Sequence, residues 1–166
     1  ARAFTRDPLD IFNANVLYPY RNTLAYSDHL IGQALLVAPV YWITENPILA
    51  QNLTMLIAYT LCGFLMYLLV VDLTGSRLAG AVAGLAYAFA PSRLAHFEHT
   101  NLLSAQWMPL AVLAARRSLR GRSVVWAGVT GLALFLQGLF AIYYFFFTLL
   151  LLGVVLGTWL LWQRSR

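Results

Sequence analysis

The stretch NLTMLIAYTLCGFLMYLLVVD, residues 52–72, decides the fold class. It carries no charge until Asp72, and it is long enough to cross a hydrocarbon core about 30 Å thick, which takes roughly 20 apolar residues as helix. It stops at LTGSR, where Gly75 supplies the left-handed residue on which helices commonly end. Apolar runs follow it: LAGAVAGLAYAFAP (78–91), LLSAQWMPLAVLAA (102–115), SVVWAGVTGLALFLQGL (123–139) and FAIYYFFFTLLLLGVVLGTWLLW (140–162). Gly80 and Gly84 form a small-xxx-small face that lets a neighbouring helix approach closely. Upstream, LIGQALLVAPVYWI (30–43) is apolar but too short to span. It contains Pro39 and reads as an interfacial or re-entrant helix, with Tyr41 and Trp42 at the headgroup boundary.

Composition agrees. Hydrophobic residues make up 61% of the chain and charged ones 10%, with a mean hydropathy of +0.71. A soluble domain carries about a quarter charged residues, so lipid is the expected solvent for much of this surface. The expected architecture is all-α and polytopic, with about five transmembrane or re-entrant helices. Residues 1–46 form an extracytoplasmic loop with an interfacial helix, and 47–166 the transmembrane region. The chain starts without Met at ARAFTRDPLD and stops at WQRSR after an apolar run, which reads as part of a longer protein.

The net charge of +5 does not point to nucleic acid, because its distribution is that of a membrane protein. All eleven basic residues are Arg. Arg77, the loop RRSLRGR (116–122) and Arg164/Arg166 fall on one side, as the positive-inside rule expects of cytoplasmic segments. Asp7, Asp10, Asp28, Glu45 and Glu98 then fall on the other. Asp72, at the inner end of its span, is expected to pair with Arg77 or solvent. The single cysteine, Cys62, excludes an intrachain disulfide and reads as a small buried hydrophobe.

Titratable groups at membrane depth are costly, so those on the outer side are the functional candidates. They are Asp28-His29 and the cluster Arg93, His96, Glu98, His99. Gln106, Trp107, Gln137, Tyr143 and Tyr144 lie near outer ends of the runs. His96 and His99 are spaced i, i+3 and share a face on a helix. Without further ligands they do not define a metal site. They suit acid–base chemistry or, with Arg93, phosphate binding. Asp28 has two readings: with Ser27 it is a natural N-cap for the run from 30, and it is also a carboxylate able to deprotonate an acceptor hydroxyl. Asp7 and Asp10 flank Pro8 as turn residues.

The run NANVLYPYRNTLAYSDHLIGQALLVAPVYWITENPILAQNL resembles the first large outer loop of bacterial C-type glycosyltransferases. It looks most like their relatives near the YfhO-like and dolichyl-phosphate-mannosyltransferase-like groups. LTGSRLAGAVAGLAYAFAPSRLAHFEHTNLLSAQWMPL and AIYYFFF resemble the same group in the same order. The resemblance implies a helical enzyme of the bacterial cytoplasmic membrane that takes a sugar from a polyprenyl-phosphate donor. It implies an acidic residue in the first outer loop, for which Asp28 followed by His29 is the candidate. Relatives often carry an acid where this chain has Asn13. Arg93, His96 and His99, with Gln106, Trp107, Tyr143 and Tyr144, would then meet the donor phosphate. No cofactor is called for. The competing expectation is a transporter or lipid flippase without transferase activity, since broken helices are typical of transporters. A purely structural membrane partner is a third.

Overall fold

The computed structural model describes residues 12, 13, 17, 19–23 and 30–164. The regular structure among these residues is all helical, in eight segments: α1 (Ile31–Thr44), α2 (Pro47–Thr74), α3 (Arg77–Ala88), α4 (Pro91–Ala95), α5 (Thr100–Leu103), α6 (Trp107–Gly121), α7 (Val124–Phe140) and α8 (Ile142–Arg164). Three helical stretches are long and apolar enough to cross a membrane: Pro47–Thr74, Arg77–Ala95 and Ile142–Arg164. Helices α1 and α7 are apolar but shorter.

Local chemistry sets the ends of these helices. Asn46 caps α2 by accepting from the Ile48 and Leu49 N–H groups at 3.0 and 3.1 Å, and Pro47 follows where no helical N–H is needed. Gly75 ends α2 at φ 74°, as its sequence position predicts. At 28 residues, α2 is about 42 Å long. It starts earlier than the run 52–72 because the Asn46 cap and Pro47 set its first turn five residues upstream. Ser76 caps α3 through the Ala79 N–H. Pro91 ends the continuous part of α3: the residue before a proline is driven out of the α region, and Ala90 sits at ψ 139°.

Helices α2 and α3 form the tightest pair. A Cβ on Gly84 would stand 2.6 Å from the Gly63 carbonyl oxygen, and one on Gly80 2.6 Å from Val71 Cγ2. The small face read from sequence is therefore the contact itself. Helix α1 packs against α2 and α7, α6 forms a hairpin with α7, and α8 lies against both. Gly32 of α1 lies so close to the Phe140 ring that no Cβ fits between them. Pro39 stays inside α1 without ending it.

Four expectations change. The α1 N-cap is Leu30, at φ 48° with no side-chain cap. The chain therefore enters α1 through a left-handed residue, not through Ser27 or Asp28. The run 102–115 is not one helix: it breaks at Ser104–Gln106 between α5 and α6. The residues RRSLRGR are mostly helix, since α6 continues to Gly121. Arginine is a good helix former, and cations at a helix C-terminus complement its dipole. Finally, Asp72 pairs with Arg116 and Arg117 rather than with Arg77.

Candidate functional site

The break between α5 and α6 is the centre of the molecule's buried polar chemistry. A non-helical stretch leaves backbone carbonyls without ladder partners, and buried carbonyls need them. Four consecutive ones are each met by a side chain from a different helix. Tyr144 of α8 donates to the Leu102 oxygen at 2.9 Å, Arg93 of α4 to Leu103 at 2.7 Å, Gln137 of α7 to Ser104 at 2.8 Å, and Tyr87 of α3 to Ala105 at 3.0 Å. Gln33 of α1 donates to the Ser104 hydroxyl and to the Phe140 carbonyl, and Cys62 of α2 approaches the Leu103 oxygen at 3.6 Å. Every other described helix thus reaches this one break.

Arg93 stands out in electrostatic terms. It is 7% exposed, on the short helix that Pro91 starts. Its guanidinium meets the Leu103 carbonyl, the Cys62 sulfur at 3.1 Å and the Tyr87 ring face at 4.6 Å. All are neutral, and among the described residues no carboxylate pairs with it; the ion pairs found there involve Asp72 alone. A buried cation without a counter-anion is costly, and the described residues supply none to Arg93.

Polar atoms without partners adjoin it. Gln106, the residue before α6, is fully buried, and neither its Oε1 nor its Nε2 meets a partner among the described residues. The Trp107 indole N–H and the Oε1 atoms of Gln33 and Gln137 are in the same condition. The Trp107 ring packs edge-on against Phe140, with centroids 5.7 Å apart. Pro109 falls in the first turn of α6, where a missing N–H does no harm.

The remaining candidates lie around this cluster. His96 and His99 are exposed on the turn between α4 and α5. They do not share one helix; a turn bond from the His99 N–H to the His96 carbonyl holds their rings 6.1 Å apart. His96 Nδ1 lies 2.8 Å from the Ser92 carbonyl. Tyr143 is exposed beside the anchored Tyr144. Asp28 and His29 lie outside the described residues. Among the described residues no three of His, Cys, Asp and Glu group closely enough to hold a metal. A family model described as a domain of unknown function, DUF6311, matches residues 1–166.

The chain belongs to the DUF6311 family. No curated protein and no solved structure matches it.

Sequence reasoning reached Arg93, Gln106, Trp107, Gln137 and Tyr144 of this DUF6311 cluster but missed Gln33, Cys62, Tyr87 and Ser104. Their signal is polarity inside an otherwise apolar run, which is weak for one residue at a time. Cys62, expected as a mere small hydrophobe, is fully buried and bonded to Arg93 as well. An apolar groove between α2 and α3 adjoins the cluster, with a volume of about 590 Å³ and walls that include Leu56, Gly63, Phe64, Leu85 and Phe89. Tyr59 joins the two, since it lines the groove, stacks on Phe89 at 5.6 Å and points its hydroxyl at the Arg93 carbonyl.

At the opposite end of the DUF6311 bundle the charge balance is also positive. Asp72 bonds Arg117 at 2.8 Å and pairs with Arg116, which reaches the Asp72 carbonyl as well. Burial, with Arg120 and Arg117 close by, holds Arg116 below arginine's usual pKa, though an arginine so placed stays charged.

Proposed function

We propose that this DUF6311 protein is a multi-pass membrane glycosyltransferase. In this reading it moves a sugar from a polyprenyl-phosphate donor to an acceptor on the extracytoplasmic side of a bacterial cytoplasmic membrane. The observation that carries the reading is Arg93, a buried cation whose described partners are all neutral. A phosphate diester completes such a pocket electrostatically, and Gln106 and Trp107 supply hydrogen-bonding atoms that have no partner among the described residues. The adjoining α2–α3 groove offers apolar walls to the prenyl tail.

In the reaction, the acceptor oxygen attacks the anomeric carbon while the bond from that carbon to the phosphate oxygen breaks. The acceptor's proton passes to a carboxylate, the role given to Asp28 with His29 beside it. The departing lipid phosphate gains negative charge, which Arg93 stabilises, with His96 and His99 at the mouth.

The transporter reading calls for polar residues through both halves of the bundle. The buried polar side chains described here, among them Gln33, Arg93, Gln106, Gln137 and Thr148, gather away from the arginine-rich end, which supports a one-sided site.

The test is transfer itself. Vesicles carrying the full chain are supplied with radiolabelled polyprenyl-phosphate glucose and, separately, mannose. Label is expected to leave the lipid phase with at least one donor, and Asp28→Asn is expected to abolish this without shifting the unfolding midpoint. Full transfer by Asp28→Asn, or no transfer by wild type, would overturn the reading.

A further inference from the structure

Between the C-terminal turns of α6 and α8 lies a second cavity, of about 400 Å³, whose walls include Arg116, Arg120, Trp159 and Trp162. Beside it is a cleft of about 260 Å³ among α6, α7 and α8, formed by residues such as Ala127, Gly131, Leu152 and Leu156. The two adjoin, because Leu119 and Val155 line both. One feature is thus cationic and aromatic at the arginine-rich end and becomes an apolar trench further in.

We infer that this feature is a binding site for an anionic diacyl phospholipid. The phosphate would sit at Arg120 and Arg116, and one acyl chain would lie in the trench.

The charge favours an anion. Three arginines, Arg116, Arg117 and Arg120, lie within one stretch of α6, and the carboxylate that the described ion pairs bring to them is Asp72 alone. Asp72 engages Arg116 and Arg117, and Arg117 also rests on the Trp126 ring at 4.7 Å. Arg120 is exposed and takes no part in those ion pairs. Tryptophan beside arginine suits a headgroup boundary, where an amphipathic ring and a cation meet phosphate and glycerol. The small side chains in the trench leave width for a chain, and a Cβ on Gly131 would meet nothing within 4 Å.

This inference goes beyond sugar transfer. It concerns the other end of the bundle and shares with that proposal only the membrane setting.

The experiment is native mass spectrometry of the full chain released from detergent, titrated with phosphatidylglycerol or phosphatidylcholine. One arginine near an anionic headgroup contributes about 1 kcal/mol, a preference of about fivefold. Wild type is expected to bind phosphatidylglycerol at least that much better. Arg120→Gln is expected to bring the two lipids to within about twofold of each other. Gly131→Leu, which puts a side chain into the trench at a position where a Cβ meets nothing within 4 Å, is expected to weaken both while the mass and unfolding midpoint stay those of a folded protein. Equal binding of both lipids by wild type overturns the inference. So does a preference that survives Arg120→Gln, or a dimer mass with no lipid bound, which would assign the groove to a second copy.

Discussion

Gln106 is the residue at which structural and functional roles separate most cleanly. Arg93 has both at once: it holds the Leu103 carbonyl and the Cys62 sulfur, so removing it disturbs the break whether or not a ligand binds. Gln106 holds nothing among the described residues, with both amide atoms buried and unpartnered. A buried polar group left unsatisfied costs about 1–3 kcal/mol, which a protein retains only where something else uses the group. Gln106→Leu is therefore expected to leave the unfolding midpoint in detergent unchanged or higher. The same substitution is expected to weaken binding of polyprenyl phosphate about tenfold, the worth of one good hydrogen bond to a charged ligand. Thermal unfolding and a lipid-phosphate binding titration check the two halves. Unaltered binding would leave Gln106 outside the site.

Among the elements, the α2–α3 pair sets how far the groove beside Arg93 opens, and its spacing rests on glycine. Gly84 lies against the Gly63 backbone, which cannot move aside as a flexible side chain would. Gly84→Ala is expected to destabilise by about 1–3 kcal/mol, the usual cost of forcing extra carbon into a packed contact. Gly153→Ala in α8, where a Cβ meets nothing within 4 Å, is expected to be neutral or to stabilise by up to about 1 kcal/mol. Unfolding midpoints of the two variants in the same detergent check the contrast. These elements also show what was legible in sequence. Gly75 as a helix stop, the Gly80/Gly84 face and the apolar run 52–72 depend on local periodicity and composition, and they are found as read. The bonds of Asp72 to Arg116 and Arg117 join residues 44 and 45 positions apart, which no local pattern encodes. The same holds for the carbonyls of 102–105, whose donors come from α2, α3, α4, α7 and α8. The sequence pointed to several of those donors because polar groups in apolar runs are conspicuous. It did not show that they share one target, because the break at Ser104–Gln106 has no strong turn residue of its own.

For the whole molecule, the surface chemistry bears on the setting. Leu150, Val154 and Leu161 of α8 are 68, 62 and 67% exposed, and Val125 and Phe135 of α7 are 75 and 62% exposed. A soluble monomer rarely shows contiguous apolar surface of this extent, whereas a bilayer covers it at no cost. The polar cluster and the arginines occupy opposite ends of that surface, so in the proposed membrane setting the positive-inside rule predicts the α4–α5 turn on the outer side and the α6–α7 connection on the inner. Impermeant thiol labelling of intact cells tests this on a Cys62→Ser background, which removes the one native thiol. Glu98 and Gly121 are both exposed, and a Cβ at Gly121 meets nothing, so Glu98→Cys and Gly121→Cys report accessibility without disturbing packing. Position 98 is expected to label in intact cells and position 121 only after permeabilisation. The reverse pattern would turn the Arg93 cluster towards the cytoplasm, where an extracytoplasmic sugar donor cannot reach it. Equal labelling of both positions in intact cells would remove the separation of sides on which both proposed sites depend.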